Sequence, residues 1–431
     1  MPFRSPPQAG LTRVEVSVCL GRAAAPLGQL VFVKDGQREF SQFAYSSEWL
    51  SDTRYFDISP DLSRHPGYQL RKPPTRNDAS FFLALADTAP DAWGRRVIAR
   101  AHAKARATNA TLSPLTEIDY LAAVDDLSRV GALRIRDAQG RYLRIVAAGE
   151  RSTPTPLELE NILLASHAVE MSQETAEDLA YLQGKATSLG GMRPKCSMID
   201  LDGALSIGKF PSVTDERSVT RGEVLALRLA KLAGINSAEA RVAMVQGQPV
   251  SIIRRFDRTP GQNRIPYLSG ATLLQARRDD EHSYTEIIDV MRSMCADFVT
   301  DARQLWRRLV FNHLINNVDD HLQNLGFLYS ERNRWRLSPA FDLNPFPDKT
   351  RESKTWLSED TGPITSTRQL LDQAIRFELN TDQAKSVFAE VATAVSRWEE
   401  VATSPEVGLS SRELDDFRPA FQIPRREAAR S

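Results

Sequence analysis

An aspartate and an asparagine near residue 320 have the spacing of a phosphoryl-transfer centre. In the segment Asn317–Asn324, Asp319 is followed by four residues and then by Asn324. Phosphoryl transfer needs a carboxylate that orients the attacking hydroxyl and accepts its proton, together with oxygen ligands that hold Mg²⁺. The spacing therefore predicts that Asp319 is the base and that the amide oxygen of Asn324 binds the metal ion.

A later carboxylate completes this set. Asp342 follows a predicted β-hairpin over Gly326–Leu337, which returns the chain toward the same place, and it is the natural second metal ligand. One alternative is that Asp319 and Asp320 only cap a helix, with His321 on the surface. The combination of an Asp, a His, an Asn and a later Asp favours phosphoryl transfer over that alternative.

A second alternative is a metal-dependent phosphohydrolase with clustered His and Asp ligands. His313, Asp319, Asp320 and His321 superficially suggest such a site. The chain has six histidines, however, and no second His–Asp cluster in the sequence supplies the remaining ligands. The sequence therefore favours the phosphoryl-transfer interpretation.

Basic and glycine residues upstream suit the phosphates of a nucleotide. Lys209 ends a predicted strand, from which it can reach phosphates with help from Glu223 on the next predicted helix. An exposed, unpaired strand lysine is an equally good interpretation. The glycines of the loop Ser188–Lys195 permit close backbone approach, and Arg193 and Lys195 add positive charge. Taken alone, this loop is better explained as an ordinary turn.

Aromatic and charged residues occur where a predicted strand ends, in the segment Ile252–Arg258. Phe256 is placed to line an adenine pocket. Arg255 and Asp257 equally suit a structural ion pair, so the segment by itself leaves both interpretations open.

The elements around these residues predict an α+β protein with two domains. An N-terminal α/β domain with hairpins is predicted over residues 1–150 and a catalytic domain over residues 151–431, separated by a small, polar, proline-containing stretch. The catalytic domain is predicted to have a β-rich lobe to about residue 258 and an all-helical lobe from about residue 259 onward, with a long helical segment near Tyr284–Met294. Asp35-Gly36 and Asp202-Gly203 are predicted to be hairpin turns. Nucleotides commonly bind in the cleft of such a two-lobed layout.

The bulk composition agrees with two domains and limits the function. The chain has 431 residues, with 55 basic and 55 acidic side chains, so nucleic-acid binding by this chain alone is a poor first hypothesis. Cys19, Cys196 and Cys295 show neither disulfide nor zinc spacing. Since no window approaches eighteen apolar residues and no apolar signal region begins the chain, we expect a cytoplasmic protein without a membrane segment.

Several motifs resemble those of the HipA family, the kinase toxins of bacterial type II toxin–antitoxin modules. The resemblance covers nearly the whole chain. Its most specific motifs, in this order along the chain, are Ser188–Lys195, Arg255–Arg258, Asp319–Asn324 and Pro339–Asp342. Further matching segments precede them, at Leu27–Leu30, Ser47–Leu50, Pro90–Arg96 and Asp126–Leu133.

The resemblance implies a two-lobed, protein-kinase-like domain that uses ATP and Mg²⁺. Asp319 would be the catalytic aspartate, and Asn324 and Asp342 would bind Mg²⁺. The residues implied to contact ATP are Gly190, Gly191, Met192, Arg193, Pro194 and Lys195 in the phosphate-binding loop, Lys209 at the phosphates, Arg254, Arg255, Phe256 and Phe341 at the adenine, and His321 and Asn324 nearby. Ser188 would be autophosphorylated, which would eject the loop and silence the enzyme, because about two added negative charges would repel the ATP phosphates.

The resemblance also implies a biological role linked to persistence. The chain would be a serine/threonine protein kinase toxin that phosphorylates an aminoacyl-tRNA synthetase. A small DNA-binding antitoxin, HipB-like, would neutralise it and would make any DNA contact indirect. Two positions depart from the family pattern: Arg254 replaces an acidic or neutral residue, so backbone atoms are expected to make the hinge contact, and Gln323 replaces the lysine often seen before the asparagine.

Two rival functions remain open. A small-molecule phosphotransferase shares the spacing of Asp319 and Asn324, although the N-terminal domain and the Ser188 loop argue against it. A catalytically silent co-repressor partner of the antitoxin is the second rival. The intact Asp319, Asn324, Asp342 and Lys209 argue against that rival.

Overall fold

The computed structural model describes residues 11–53, 55–75, 78–144, 154, 158–185, 191–277 and 280–422. The chain divides into two compact units. The first runs to Val213 and includes Asp257–Leu268, and the second consists of Thr214–Phe256 and the chain from Ser269 onward. The predicted site residues Ser188 and Gly190 lie outside the described residues, and the predicted boundary near residue 150 stays a prediction.

The first unit mixes strands and helices, as the sequence predicts. Its strands are β1 (Leu11–Leu20), β2 (Ala25–Asp35), β3 (Arg38–Tyr45), β4 (Gln69–Arg71), β5 (Leu133–Arg136), β6 (Lys195–Ile199) and β7 (Leu205–Lys209). Its helices are α1 (Ser47–Ser51), α2 (Leu83–Ala86), α3 (Ala92–Thr108), α4 (Glu117–Ala123), α5 (Leu159–Glu170) and α6 (Ala176–Lys185).

Five of these strands form one antiparallel sheet in the order β4-β3-β2-β1-β5. Along β1, Val14, Val16 and Val18 are buried and the residues between them are exposed or half-buried, which is the alternation of a sheet with one covered face. Strands β2 and β3 meet at a tight turn in which Gly36 has a φ of +58°. The predicted Asp-Gly hairpin is therefore confirmed.

Strands β6 and β7 form the second predicted hairpin of this unit. They pair antiparallel, with Lys195 directly opposite Lys209. Gly203, in the predicted turn between them, has a φ of +79°, a conformation that glycine adopts without steric cost. The pairing therefore brings two lysines of the predicted phosphate-binding set to the same end of one hairpin.

The second unit is mainly helical, with short strands between the helices. Its helices are α7 (Val219–Leu232), α8 (Gly270–Leu274), α9 (Tyr284–Met294), α10 (Phe298–Leu314), α11 (Thr367–Gln373), α12 (Thr381–Ser396), α13 (Trp398–Ala402) and α14 (Ser411–Phe421). Its strands are β8 (Ala240–Val245), β9 (Gln248–Arg254), β11 (Gly326–Tyr329), β12 (Trp335–Leu337), β13 (Trp356–Ser358) and β14 (Gly362–Pro363). The short strand β10 (Tyr267–Ser269) begins in the first unit and ends in the second. Among the described residues, no helix is both long and apolar enough to cross a membrane.

Two local signals fix the ends of the helices that adjoin the predicted site residues. Helix α9 begins with a capping box, in which Ser283 accepts from the backbone N–H of Glu286 and the Glu286 carboxylate accepts from the backbone N–H of Ser283. Helix α10 ends where Asn316 takes a left-handed conformation, with a φ of +54°. The amide nitrogen of Asn316 donates to the carbonyl of Lys349 at 2.8 Å, so the chain turns out of α10 at a fixed place.

Candidate active site

The segment Asn317–Asn324, which we call the catalytic segment, runs from the end of α10 to a 3-10 turn over Leu322–Asn324. At its start, the buried Asn317 donates from its amide nitrogen to Oδ1 of Asn312 at 3.1 Å. At its end, the amide nitrogen of Asn324 donates to the backbone carbonyl of Asp319 at 2.9 Å. The spacing of Asp319 and Asn324 therefore produces a direct contact, and both ends of the segment are fixed by side chains.

The residues predicted to bind Mg²⁺ have the right chemistry for it. Because the amide nitrogen of Asn324 is used by Asp319, its Oδ1 is the atom that remains for a cation. Asp342 has a φ of +53°, a conformation that is uncommon outside glycine and that concentrates at functional sites. An amide oxygen and a carboxylate are hard oxygen ligands of the kind that Mg²⁺ accepts together with phosphates and water. The donor set therefore fits Mg²⁺.

His321 places the two carboxylates in one electrostatic environment. Burial lowers the pKa of its imidazole below the ordinary value, the negative charges of Asp319 and Asp342 oppose this, and the ammonium of Lys354 adds to it. All three charged groups therefore act on the pKa of the ring, which is neutral at pH 7 because that pKa lies below its ordinary value. Its Nδ1 is buried and has no hydrogen-bond partner among the described residues.

Asp320 has a structural role that nothing in the sequence indicates. Its side chain is buried, and its carboxylate accepts a hydrogen bond from the hydroxyl of Tyr284 at 2.9 Å and from the backbone N–H of Lys354 at 2.7 Å. The hydroxyl of Thr355 donates to the backbone carbonyl of Asp320 at 2.7 Å. Burial raises the pKa of the Asp320 carboxyl to about 6. Asp320 thus ties the catalytic segment to the start of α9 and to residues 354–355.

Lys354 is the second residue that the sequence interpretation missed. Its Nζ donates to Oδ1 of Asp319 at 2.5 Å, so an ammonium group contacts the predicted base. The side chains of Lys354 and Asp319 are 58% and 39% exposed, respectively, which leaves the pair accessible to a substrate. Because Lys354 lies 35 positions after Asp319, no local spacing signals the contact.

Two of the residues predicted to line the adenine site lie side by side. The rings of Phe256 and Phe341 are half-buried, with centroids 5.3 Å apart and planes tilted by 46°. Together they offer an aromatic surface of the kind on which a base stacks. Arg255 is buried, whereas Arg254 is exposed and its guanidinium lies 3.7 Å from the carboxylate of Glu239.

In the first unit, the described part of the predicted phosphate-binding loop is held by helix α3. Lys195 is buried, with its Nζ 3.3 Å from Oδ2 of Asp91. The carbonyl of Gly191, whose φ is +109°, accepts the backbone N–H of Trp93 at 3.1 Å. Met192 is exposed and Arg193 half-buried, Pro194 is buried, and Lys209 is half-buried at the end of β7. We call Gly191–Lys195 with Asp91 the glycine-loop base, where the word base means the foot of the loop and not a proton acceptor.

Asp91 has two functions in the glycine-loop base. Its Oδ1 accepts the backbone N–H of Gly94 at 2.6 Å and so caps α3, while its Oδ2 faces Lys195. Burial raises the pKa of the Asp91 carboxyl to about 6, although the ammonium of Lys195 acts in the opposite direction. The charge of Lys195 is therefore paired inside the first unit, and its predicted contact with ATP phosphates stays a prediction.

The fold is of the kinase-like type. Short strands such as β13 and β14 lie within the stretch that the sequence predicts to be all-helical. Over residues 187–398, the chain matches the family model of the HipA-like C-terminal domain. The predicted resemblance to the HipA family is confirmed over these residues.

Known proteins similar to the chain agree with this family. A solved structure from Shewanella oneidensis, the complex of HipA and HipB with operator DNA, matches over 94% of this chain and 95% of its own, with a TM-score of 0.66 and 15% identity. Putative kinase Y4mE of Sinorhizobium fredii is 24% identical over 70% of this chain and 71% of its own length. A similarly named Haemophilus influenzae protein is 24% identical over 37% of this chain and 54% of its own. The first of these similarities supports the fold, and the other two support a kinase.

Proposed function

We propose that the chain is an ATP- and Mg²⁺-dependent serine/threonine protein kinase. The observation that carries the proposal is the hydrogen bond from Asn324 to the carbonyl of Asp319. It holds a candidate base and a candidate metal ligand together after the end of α10. The charges of Asp319 and Asp342 both act on the imidazole of His321. The family match and the relatives named as kinases support phosphoryl transfer as the chemistry.

The proposed chemistry assigns each residue one task. The half-exposed carboxylate of Asp319 orients the hydroxyl of a serine or threonine and takes its proton as the hydroxyl oxygen attacks the γ-phosphorus of ATP. Asn324 and Asp342 would hold Mg²⁺, which would neutralise charge on the phosphate oxygens. The neutral imidazole of His321 lies beside these groups without adding a charge.

We further propose that this kinase is the toxin of a toxin–antitoxin module. A small DNA-binding antitoxin would be its partner, and DNA contact would be indirect. The supporting observation is the fold shared with a solved complex that contains HipA, HipB and operator DNA. Phosphorylation of an aminoacyl-tRNA synthetase and autophosphorylation at Ser188 are proposed on the family resemblance.

Labelled ATP tests these proposals together. The full chain is incubated with γ-labelled ATP and Mg²⁺, beside the Asp319→Ala variant, and the labelled positions are mapped. We expect label on Ser188 and on a protein acceptor, and none of either with Asp319→Ala. Label only on small molecules would instead indicate a small-molecule phosphotransferase, and failure of the wild-type chain to bind ATP would favour a silent co-repressor.

A further inference from the structure

The catalytic segment contains no lysine or arginine. None of the eight residues from Asn317 to Asn324 has a side chain with a permanent positive charge. A base that takes a proton beside ATP lies among many negative charges, and its orientation is best kept by a positively charged donor. Any such donor to Asp319 must therefore come from elsewhere in the chain.

Lys354 supplies that cation. Its Nζ contacts Oδ1 of Asp319 at 2.5 Å, within the range of a charge-assisted hydrogen bond. Since Oδ1 accepts from Lys354, Oδ2 is the oxygen that stays available for an incoming hydroxyl. One contact thus fixes the rotation of the carboxylate and selects which oxygen acts as the base.

The position of Lys354 is built into the fold. Its backbone N–H donates to Oδ1 of Asp320 at 2.7 Å, and the hydroxyl of Thr355 donates to the carbonyl of Asp320 at 2.7 Å. The other oxygen of the Asp320 carboxylate accepts the hydroxyl of Tyr284 at 2.9 Å. Asp320 is buried and directly follows Asp319. The backbone that carries Lys354 is therefore fastened to the same two-residue unit, Asp319–Asp320, that carries the base.

Residues next to Lys354 add further anchors. The hydroxyl of Ser353 accepts the backbone N–H of Ile364 at 2.7 Å and donates to the carbonyl of Thr355 at 2.6 Å. The backbone N–H of Trp356, the next residue, donates to the carbonyl of His282 at 2.9 Å. The ammonium group of Lys354 thus extends from a backbone that is held at several points.

We propose that Lys354 is a positioning residue for phosphoryl transfer, holding the Asp319 carboxylate in the orientation that receives the hydroxyl proton, and that Asp320 fixes Lys354 in place. This inference rests on the proposed kinase function. In the step concerned, the acceptor oxygen forms a bond to the γ-phosphorus and its proton moves to Asp319. The bond from the γ-phosphorus to the bridging oxygen breaks, and ADP leaves with that electron pair.

A merely structural ion pair makes a different prediction. Exposed ion pairs contribute little to stability, so the loss of the Lys354 ammonium leaves the folded protein nearly unchanged under either interpretation. Only a positioning role makes the maximal rate fall while the affinity for ATP is kept, because the lost interaction acts on the base and not on the bound nucleotide.

The test compares Lys354→Met, Lys354→Arg and Lys385→Met with the wild-type chain. Lys385 is an exposed lysine on α12 and serves as the matched control. ADP release is measured against ATP concentration with Mg²⁺ and casein as a generic acceptor, and Asp319→Ala defines the background. We expect Lys354→Met to lower kcat by about 10- to 100-fold, the effect of a charge-assisted hydrogen bond, with KM for ATP within about threefold of wild type.

The companion variants make the outcome decisive. Lys354→Arg restores kcat to within about fivefold of wild type because it keeps the charge, and Lys385→Met has no effect. A wild-type kcat for Lys354→Met, a higher kcat, or a change in KM alone would overturn the role of Lys354 while leaving the kinase proposal intact. No Asp319-dependent ADP release by the wild-type chain would overturn both proposals. Melting temperatures identify any variant that does not fold, in which case Lys354→Gln replaces Lys354→Met.

Discussion

The catalytic segment and the glycine-loop base are fixed in different ways. In the catalytic segment, Asn317, Asn324 and Asp320 each make hydrogen bonds to separate partners. In the glycine-loop base, the buried Lys195 lies with its Nζ 3.3 Å from the buried carboxylate of Asp91. The first region is thus held by several neutral or charge-assisted hydrogen bonds, and the second contains a buried pair of opposite charges.

The two regions should therefore differ in how much a single substitution lowers their stability. A typical hydrogen bond contributes about 1 kcal/mol net, so the catalytic segment should survive the loss of one bond. Removing one member of a buried ion pair leaves an uncompensated charge and costs about 3–5 kcal/mol. The glycine-loop base should therefore be the more sensitive of the two regions when the charge of Lys195 is removed, and the following predictions test that contrast.

The largest effect is expected for Lys195→Met, which keeps the length of the side chain and removes its charge. The free energy of unfolding of the first unit should fall by about 3–5 kcal/mol, because the carboxylate of Asp91 stays buried without the positive charge of Lys195 beside it. Denaturant unfolding of the full chain measures it. Lys72→Met, at an exposed position, is the control and should change stability by less than about 0.5 kcal/mol. Equal effects of the two variants would contradict the contrast.

A pH dependence of slightly smaller size should come from Asp91. Its pKa is raised from 3.8 to about 6 by burial, so the folded state binds this proton more tightly than the unfolded state. The stability that the group contributes is therefore present below about pH 4 and is lost as the pH rises through about 6, to a total of about 3 kcal/mol. Unfolding free energies of wild type and Asp91→Asn are compared from pH 4 to 7. Parallel curves would show that Asp91 does not titrate in this way.

Gly191→Ala should destabilise the glycine-loop base through the same ion pair. A Cβ at Gly191 would lie 2.6 Å from Nζ of Lys195 and would push the ammonium away from Asp91, in addition to the strain of a φ of +109°. Gly203→Ala is the matched control, since its φ is +79° and nothing lies within 4 Å of its Cβ. The free energy of unfolding should be about 2 kcal/mol lower for Gly191→Ala than for Gly203→Ala, within the range for overpacking a buried site. Similar losses would mean that backbone strain alone explains the glycine.

The smallest effect is expected in the catalytic segment. Thr355→Val removes the hydroxyl that donates to the carbonyl of Asp320 and keeps the shape of the side chain. The unfolding free energy should fall by about 1 kcal/mol, the net value of one hydrogen bond. Thr393→Val removes an equivalent bond to the carbonyl of Ala389 on the exposed face of α12 and should be close to neutral. A loss as large as that of Lys195→Met would remove the contrast between the two regions.

The sequence was informative wherever the pattern was local. The bounds predicted for the helix at Tyr284–Met294 agree with α9, because a capping box and an apolar repeat both lie within that stretch. The contact of Asn324 with Asp319 was also predictable, since only four residues separate them. The roles of Asp320, Lys354 and Asp91 were not, because their partners are distant in sequence and become neighbours only through the tertiary fold.

The central claim is that Asp319 acts in the chemical step of phosphoryl transfer. The most direct test measures kcat and the Kd for ATP with Mg²⁺ in the wild-type chain and in Asp319→Asn, which keeps the size of the side chain and removes its basicity. We predict that kcat falls by about 10²- to 10⁴-fold, the usual contribution of a general base, while Kd stays within about threefold of wild type. A variant that keeps its kcat, or one that loses ATP binding in proportion to activity, would contradict the assignment.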